Sequence, residues 1–143
     1  MTLDTKTLAF RGIVAAAVGA AVNAGLVAVA SAAGIAPGFR ALTYPPVVFL
    51  SVVGALGAAV VYFLVRRRAS GDPDRTFTRI AAVVLVLSFL PDVGLLFGDE
   101  AATVAGVVLL MVMHVVVAVA AVALLTGQPV ALGGTDDSNP MAR

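Results

Sequence analysis

Four stretches of this chain, about residues 12–33, 45–65, 77–97 and 101–125, are long, apolar and almost free of charge. An α-helix rises about 1.5 Å per residue, so roughly 20 apolar residues cross the ~30 Å hydrocarbon core of a bilayer. The runs are continuous rather than alternating, which excludes the pattern of a membrane β-barrel. Composition agrees with this. The chain is 61% hydrophobic and 12% charged, against about 25% charged residues in a soluble domain, and its mean hydropathy is +1.07. The expected fold is an all-α membrane protein: a four-transmembrane-helix bundle, up-down-up-down, over residues 1–126. The polar end at 127–143 reads as a flexible tail.

Charge sets the expected orientation. Arg66, Arg67 and Arg68 close the second run, and Arg75 and Arg79 follow before the third. Positive loops mark the cytoplasmic side, and Lys6 and Arg11 place the N-terminus there too. The opposite side carries Arg40 with the acidic pair Asp99 and Glu100. Both termini are therefore expected to be cytoplasmic. The first run is longer than the ~7–15 apolar residues of a secretory signal, so it is read as an uncleaved span.

Local signals place the helix ends. Pro45 and Pro46 suit the opening of a helix, where a missing N–H has no cost. Gly71-Asp72-Pro73-Asp74 is a turn, with Thr76 as the expected cap of the third helix and Asp99 as that of the fourth. Tyr44 and Tyr62 are expected at the two lipid–water interfaces. Gly12, Ala16, Ala20, Ala24, Ala28 and Ala32 recur every four residues, with Ala17, Ala21 and Gly25 beside them. This is expected to form one smooth face for close helix packing. Gly54 and Ala58 make a weaker small-residue pair.

Few polar groups lie inside the runs, and each is a candidate site because such groups are costly in lipid. They are Asn23, Ser88, Asp92 and the single histidine, His114. Asp92 has two readings: it sits inside a continuous third helix, or Pro91 ends that helix and Asp92 caps a new turn. Ser88, four residues earlier on the same face, is within reach of its carboxyl. His114 reads as a packing residue, a proton carrier with Asp92, or a ligand. Depth arithmetic places both Asn23 and His114 about 15 Å in, near the midplane, and Asp92 about one turn further out. His114 is therefore expected to meet Asn23 rather than Asp92.

Ser88-Phe89-Leu90-Pro91-Asp92 and Met113-His114-Val115-Val116 carry a resemblance, together with Thr43, Pro45 and the Arg75-xxx-Arg79 loop. Over roughly residues 10–126 the chain resembles a family of small prokaryotic four-helix membrane proteins catalogued as a domain of unknown function. The resemblance implies an uncleaved four-span protein and supplies no activity, cofactor or partner.

The function classes narrow accordingly. The chain contains no cysteine, which excludes disulfides, thiolate ligands and a cysteine nucleophile. It has no G-x-S-x-G, phosphate loop or HExxH, so no catalytic role is expected. Nothing points to a cofactor or metal. A net charge of +1 points to no nucleic acid. The expected partners are the bilayer and either further copies of the chain or another membrane protein. The leading expectation is an accessory or scaffold component of the cell membrane; the alternative is an oligomeric proton-linked transporter using Asp92 and His114.

Overall fold

The structure, a computed structural model, describes residues 4–127; the expected tail lies outside the described residues except for Gly127. Four helices form: α1 (Thr5–Ala32), α2 (Tyr44–Arg68), α3 (Pro73–Gly98) and α4 (Val104–Thr126). They contain 28, 25, 26 and 23 residues, and all four are long and apolar enough to cross a membrane. At 1.5 Å per residue they extend about 35–42 Å, longer than the apolar core alone requires.

The helix ends follow local chemistry. Thr43 precedes α2, which opens on Tyr44, Pro45 and Pro46. Asp72, not Thr76, caps α3: its carboxylate accepts from the backbone N–H groups of Asp74 and Arg75, and Pro73 takes the first helical position. The Thr76 hydroxyl donates instead to the Asp72 carbonyl. Asp99 does not cap α4. It accepts from the Ala101 N–H in a turn, and Thr103 receives the Gly106 N–H at the helix start. In both cases the expected cap lies four residues from the residue that borders the helical φ/ψ, once too late and once too early. Gly127 ends α4 in the left-handed region at φ 69°, where an L side chain is strained.

α1 packs against α2 and α4, and α3 packs mainly on α4. Contacts run in opposite order along α1 and α2. Near the α1 start, a Cβ on Gly12 would lie 2.8 Å from that of Ala59, and further along Asn23 bonds to Ser51. Only hydrogen on Gly12 permits so close a backbone approach. The expected small-residue face is not one face. A spacing of four residues overshoots the 3.6-residue turn by about 40° each time, so the row winds round the helix. Gly12 and Ala16 are buried, Ala20 and Ala24 are half-buried, and Ala28 and Ala32 are exposed.

The two ends differ. At one, the α1–α2 connection folds inward: Ala36, Phe39 and Leu42 pack with Val27, Val47, Val107 and Leu110. Ala36 takes φ 48°, and Gly106 leaves room for it, since a Cβ there would lie 2.8 Å from that of Ala36. At the other end, Tyr62 packs on Phe77 with ring centroids 4.9 Å apart, alongside Leu8, Ala121 and Leu125. Tyr62 is buried against the neighbouring helices, and its hydroxyl donates to Asp74. The described arginines other than Arg40 collect at this end. Arg67 covers the Phe63 ring at 4.3 Å, and Arg11 donates to the Leu125 carbonyl at 3.4 Å, where the α4 dipole favours a cation.

Candidate functional site

α3 continues unbroken through Pro91, which decides between the two readings of Asp92. The carboxyl sits inside the helix rather than at a new cap. Of the 26 residues of α3 only Phe77 and Asp92 are buried, and Asp92 is 6% exposed. Ser88 does not serve it: its hydroxyl donates to the Leu85 carbonyl at 2.6 Å, the usual fate of a helical serine that bonds back to its own turn.

Asp92 instead meets His114. Nδ1 of the imidazole lies 3.1 Å from Oδ2 of Asp92 and 3.0 Å from the Leu110 carbonyl oxygen. A ring nitrogen has one in-plane direction. The carbonyl only accepts, so in the tautomer that bonds it the proton sits on Nδ1. Oδ2 of Asp92 is therefore close to the ring but without an aligned donor, and it remains buried with no hydrogen-bond partner. Phe89 stands edge-on to the imidazole, with centroids 6.5 Å apart at 87°.

The expected pairing of His114 with Asn23 is not found. The Asn23 amide nitrogen donates to the Ser51 hydroxyl at 2.9 Å and to the Met113 carbonyl at 3.2 Å. Asn23 stands level with Met113, and rotation decides the partner. Met113 faces α1, and His114, one residue on, points about 100° round the helix, toward Asp92 on α3. The Met113 contact also fixes the amide orientation, because a flipped side chain would set two carbonyl oxygens against each other. Oδ1 of Asn23 is left buried without a partner, although Asn23 is only 1% exposed.

These groups line one cavity of about 580 Å³ with Asn23, Ser51, Ser88, Asp92 and His114 on its walls and apolar side chains elsewhere. The sequence places Ser51 only on a small-residue face with Gly54, Gly57 and Ala58, and the cavity itself was not expected. The available signal was small: Ser51 is the one hydroxyl in the middle of the second run. Its proton goes to the Val47 carbonyl at 2.7 Å, which leaves its oxygen to accept from Asn23. The site thus joins α1, α2, α3 and α4 through one amide, one hydroxyl and one carboxyl–imidazole contact.

The arginines take no part in this site. Arg66, Arg67, Arg68, Arg75 and Arg79 lie near the α2–α3 connection. Among the described residues no group of three or more His, Cys, Asp or Glu side chains stands together as a metal site. In chemical terms, the site holds one carboxyl beside one imidazole, among hydrogen-bond acceptors.

No curated protein and no solved structure matches the chain. A model of a family of unknown function, DUF6069, matches residues 3–130. The four apolar helices and the Asp92 and His114 contact lie within that match, and the chain belongs to this family.

Proposed function

We propose that the protein is a non-enzymatic accessory or scaffold component of the cell membrane, associating with copies of itself or with another membrane protein through the outward face of α1. One observation carries this reading. Ala17, Ala21, Gly25 and Ala28 lie on that face and are exposed, and a Cβ added at Gly25 would meet nothing within 4 Å. Helices associate in lipid by close packing across small residues, since lipid tails are as apolar as the side chains. The experiment is purification in mild detergent followed by native mass analysis. A stoichiometric second subunit, of either kind, is expected. Gly25→Leu, which finds open space within one copy, should release it; an unchanged assembly in Gly25→Leu would sink the proposal.

In this reading the helices run up, down, up and down with both termini cytoplasmic. The support is the gathering of arginines at one end, where Arg11 also reaches the end of α4. Single cysteines at Ser70 and at Gly98 should label from opposite sides of the membrane. Labelling of position 70 from outside intact cells would sink this reading.

A second reading is proton-linked transport, favoured by the 3.1 Å approach of His114 to Asp92. Asp92→Asn in proteoliposomes should then abolish a proton flux measured for the wild type. Equal flux in the two proteins excludes the carboxyl from that role.

A further inference from the structure

We infer that the cavity between α2, α3 and α4 binds a lipophilic primary amine in its ammonium form, with the head at Asn23 and Asp92 and the apolar body along the α2–α3 cleft. This site is separate from the outward face of α1, so either proposal can fail without the other.

The shape of the cavity comes first. It measures about 580 Å³, and its walls at Leu50 and Val53 on α2 and Val84 on α3 are 59%, 49% and 57% exposed. Residues that line a cavity and are also exposed mark its mouth. The cavity therefore opens sideways between α2 and α3, into the region that acyl chains occupy around a spanning protein. An apolar ligand reaches it from the bilayer without crossing the loops.

Its polar end is one-sided. Oδ1 of Asn23 and Oδ2 of Asp92 are buried acceptors with no hydrogen-bond partner. The nearby protons are already committed: Ser51 donates to Val47, Ser88 to Leu85, and Nδ1 of His114 to Leu110. The lining thus presents acceptors, a carboxyl and no lysine or arginine. Buried acceptors without donors are costly, and a carboxylate repels anionic heads. A ligand must bring donors, and a positive charge adds to their strength. A primary ammonium brings three N–H groups and one charge. The single titratable group among the lining residues that faces Asp92 is His114 on α4; α1 and α2 contribute only Asn23 and Ser51. A proton and the ammonium compete for the same carboxylate, so binding weakens as pH falls.

The test uses the full chain in nanodiscs of zwitterionic lipid, with 1-pyrenemethylamine fluorescence as the readout against empty nanodiscs. Saturable binding is expected, with 1-pyrenemethanol weaker by about tenfold or more, the scale of one charge-assisted hydrogen bond. Pyreneacetate should not exceed its partition into empty discs. Asp92→Asn keeps the shape and removes the charge, and should weaken the amine by a similar factor. Val53→Trp, at the exposed mouth, should block the amine while the thermal melt of the protein stays unchanged; it decides the matter if Asp92→Asn does not fold. Equal binding of amine and alcohol, or full amine binding in Val53→Trp, overturns the assignment.

Discussion

Asn23→Ala tests the central junction of the fold. The substitution removes two bonds, to the Ser51 hydroxyl at 2.9 Å and to the Met113 carbonyl at 3.2 Å. Side-chain hydrogen bonds between membrane helices average about 0.6 kcal/mol and reach about 1.7 kcal/mol, so the pair is worth roughly 1–3 kcal/mol. One term opposes this. The change also deletes the orphaned Oδ1, an acceptor whose burial is itself unfavourable by about 1–3 kcal/mol. Ser51 still donates to Val47, so it is not stranded. The two terms are of similar size, so the net change should be small, within about 2 kcal/mol of zero. A double-mutant cycle separates the terms. Asn23→Ala with Ser51→Ala should couple by about 0.6–1.7 kcal/mol, whereas Asn23→Ala with His114→Ala should add within about 0.5 kcal/mol. The assay is unfolding by SDS titration in detergent micelles, followed by far-ultraviolet circular dichroism. Coupling to His114 without coupling to Ser51 would refute the reasoning.

Two further substitutions probe the close approaches. Gly12→Ala sets two Cβ atoms 2.8 Å apart across α1 and α2; overpacking of about 1–3 kcal/mol exceeds the ~1 kcal/mol gain in helix propensity, so stability should fall. Adding Ala59→Gly should restore most of it in the same SDS titration, and a double variant no better than the single would count against the contact. Gly106→Ala places a Cβ 2.8 Å from that of Ala36 and 3.1 Å from the Phe39 ring. It should cost at least as much as Gly12→Ala, and proteolysis of the α1–α2 connection should become faster; unchanged cleavage would show that the loop does not rest on α4.

The four helices were legible because lipid imposes a length on every apolar run, and Pro45-Pro46 marked the start of α2 accurately. What the sequence did not carry was the rotation of each helix. A soluble helix announces its inner face by the spacing of its apolar residues, but α4 is apolar on every side. Nothing in its pattern distinguishes the face of Met113 from that of His114, and one residue of rotation moved the imidazole from Asn23 to Asp92. The alanine row misled for a related reason: small residues every four positions look aligned on paper and wind apart on a 3.6-residue turn. Asp92, Asn23, Ser88 and His114 were all found as candidates because polarity within an apolar run is visible without phase. Their partners depended on phase, and only the structure supplied it.

The light attachment of α3 bears on the order in which the molecule is built. Synthesis delivers α1 and α2 first, and their mutual contacts at Gly12, Ala59, Asn23 and Ser51 need nothing later in the chain. α3 emerges next and finds little to hold it besides Phe77 and Asp74 against Tyr62, because its other buried residue, Asp92, faces a helix not yet made. α4 must arrive before α3 can settle, and it docks on the α1–α2 pair through Met113 and Leu125. The third helix translated is thus the last one fixed in place. During that interval a carboxyl waits in or near the membrane without its imidazole, and a tether cut between α3 and α4 would leave it there.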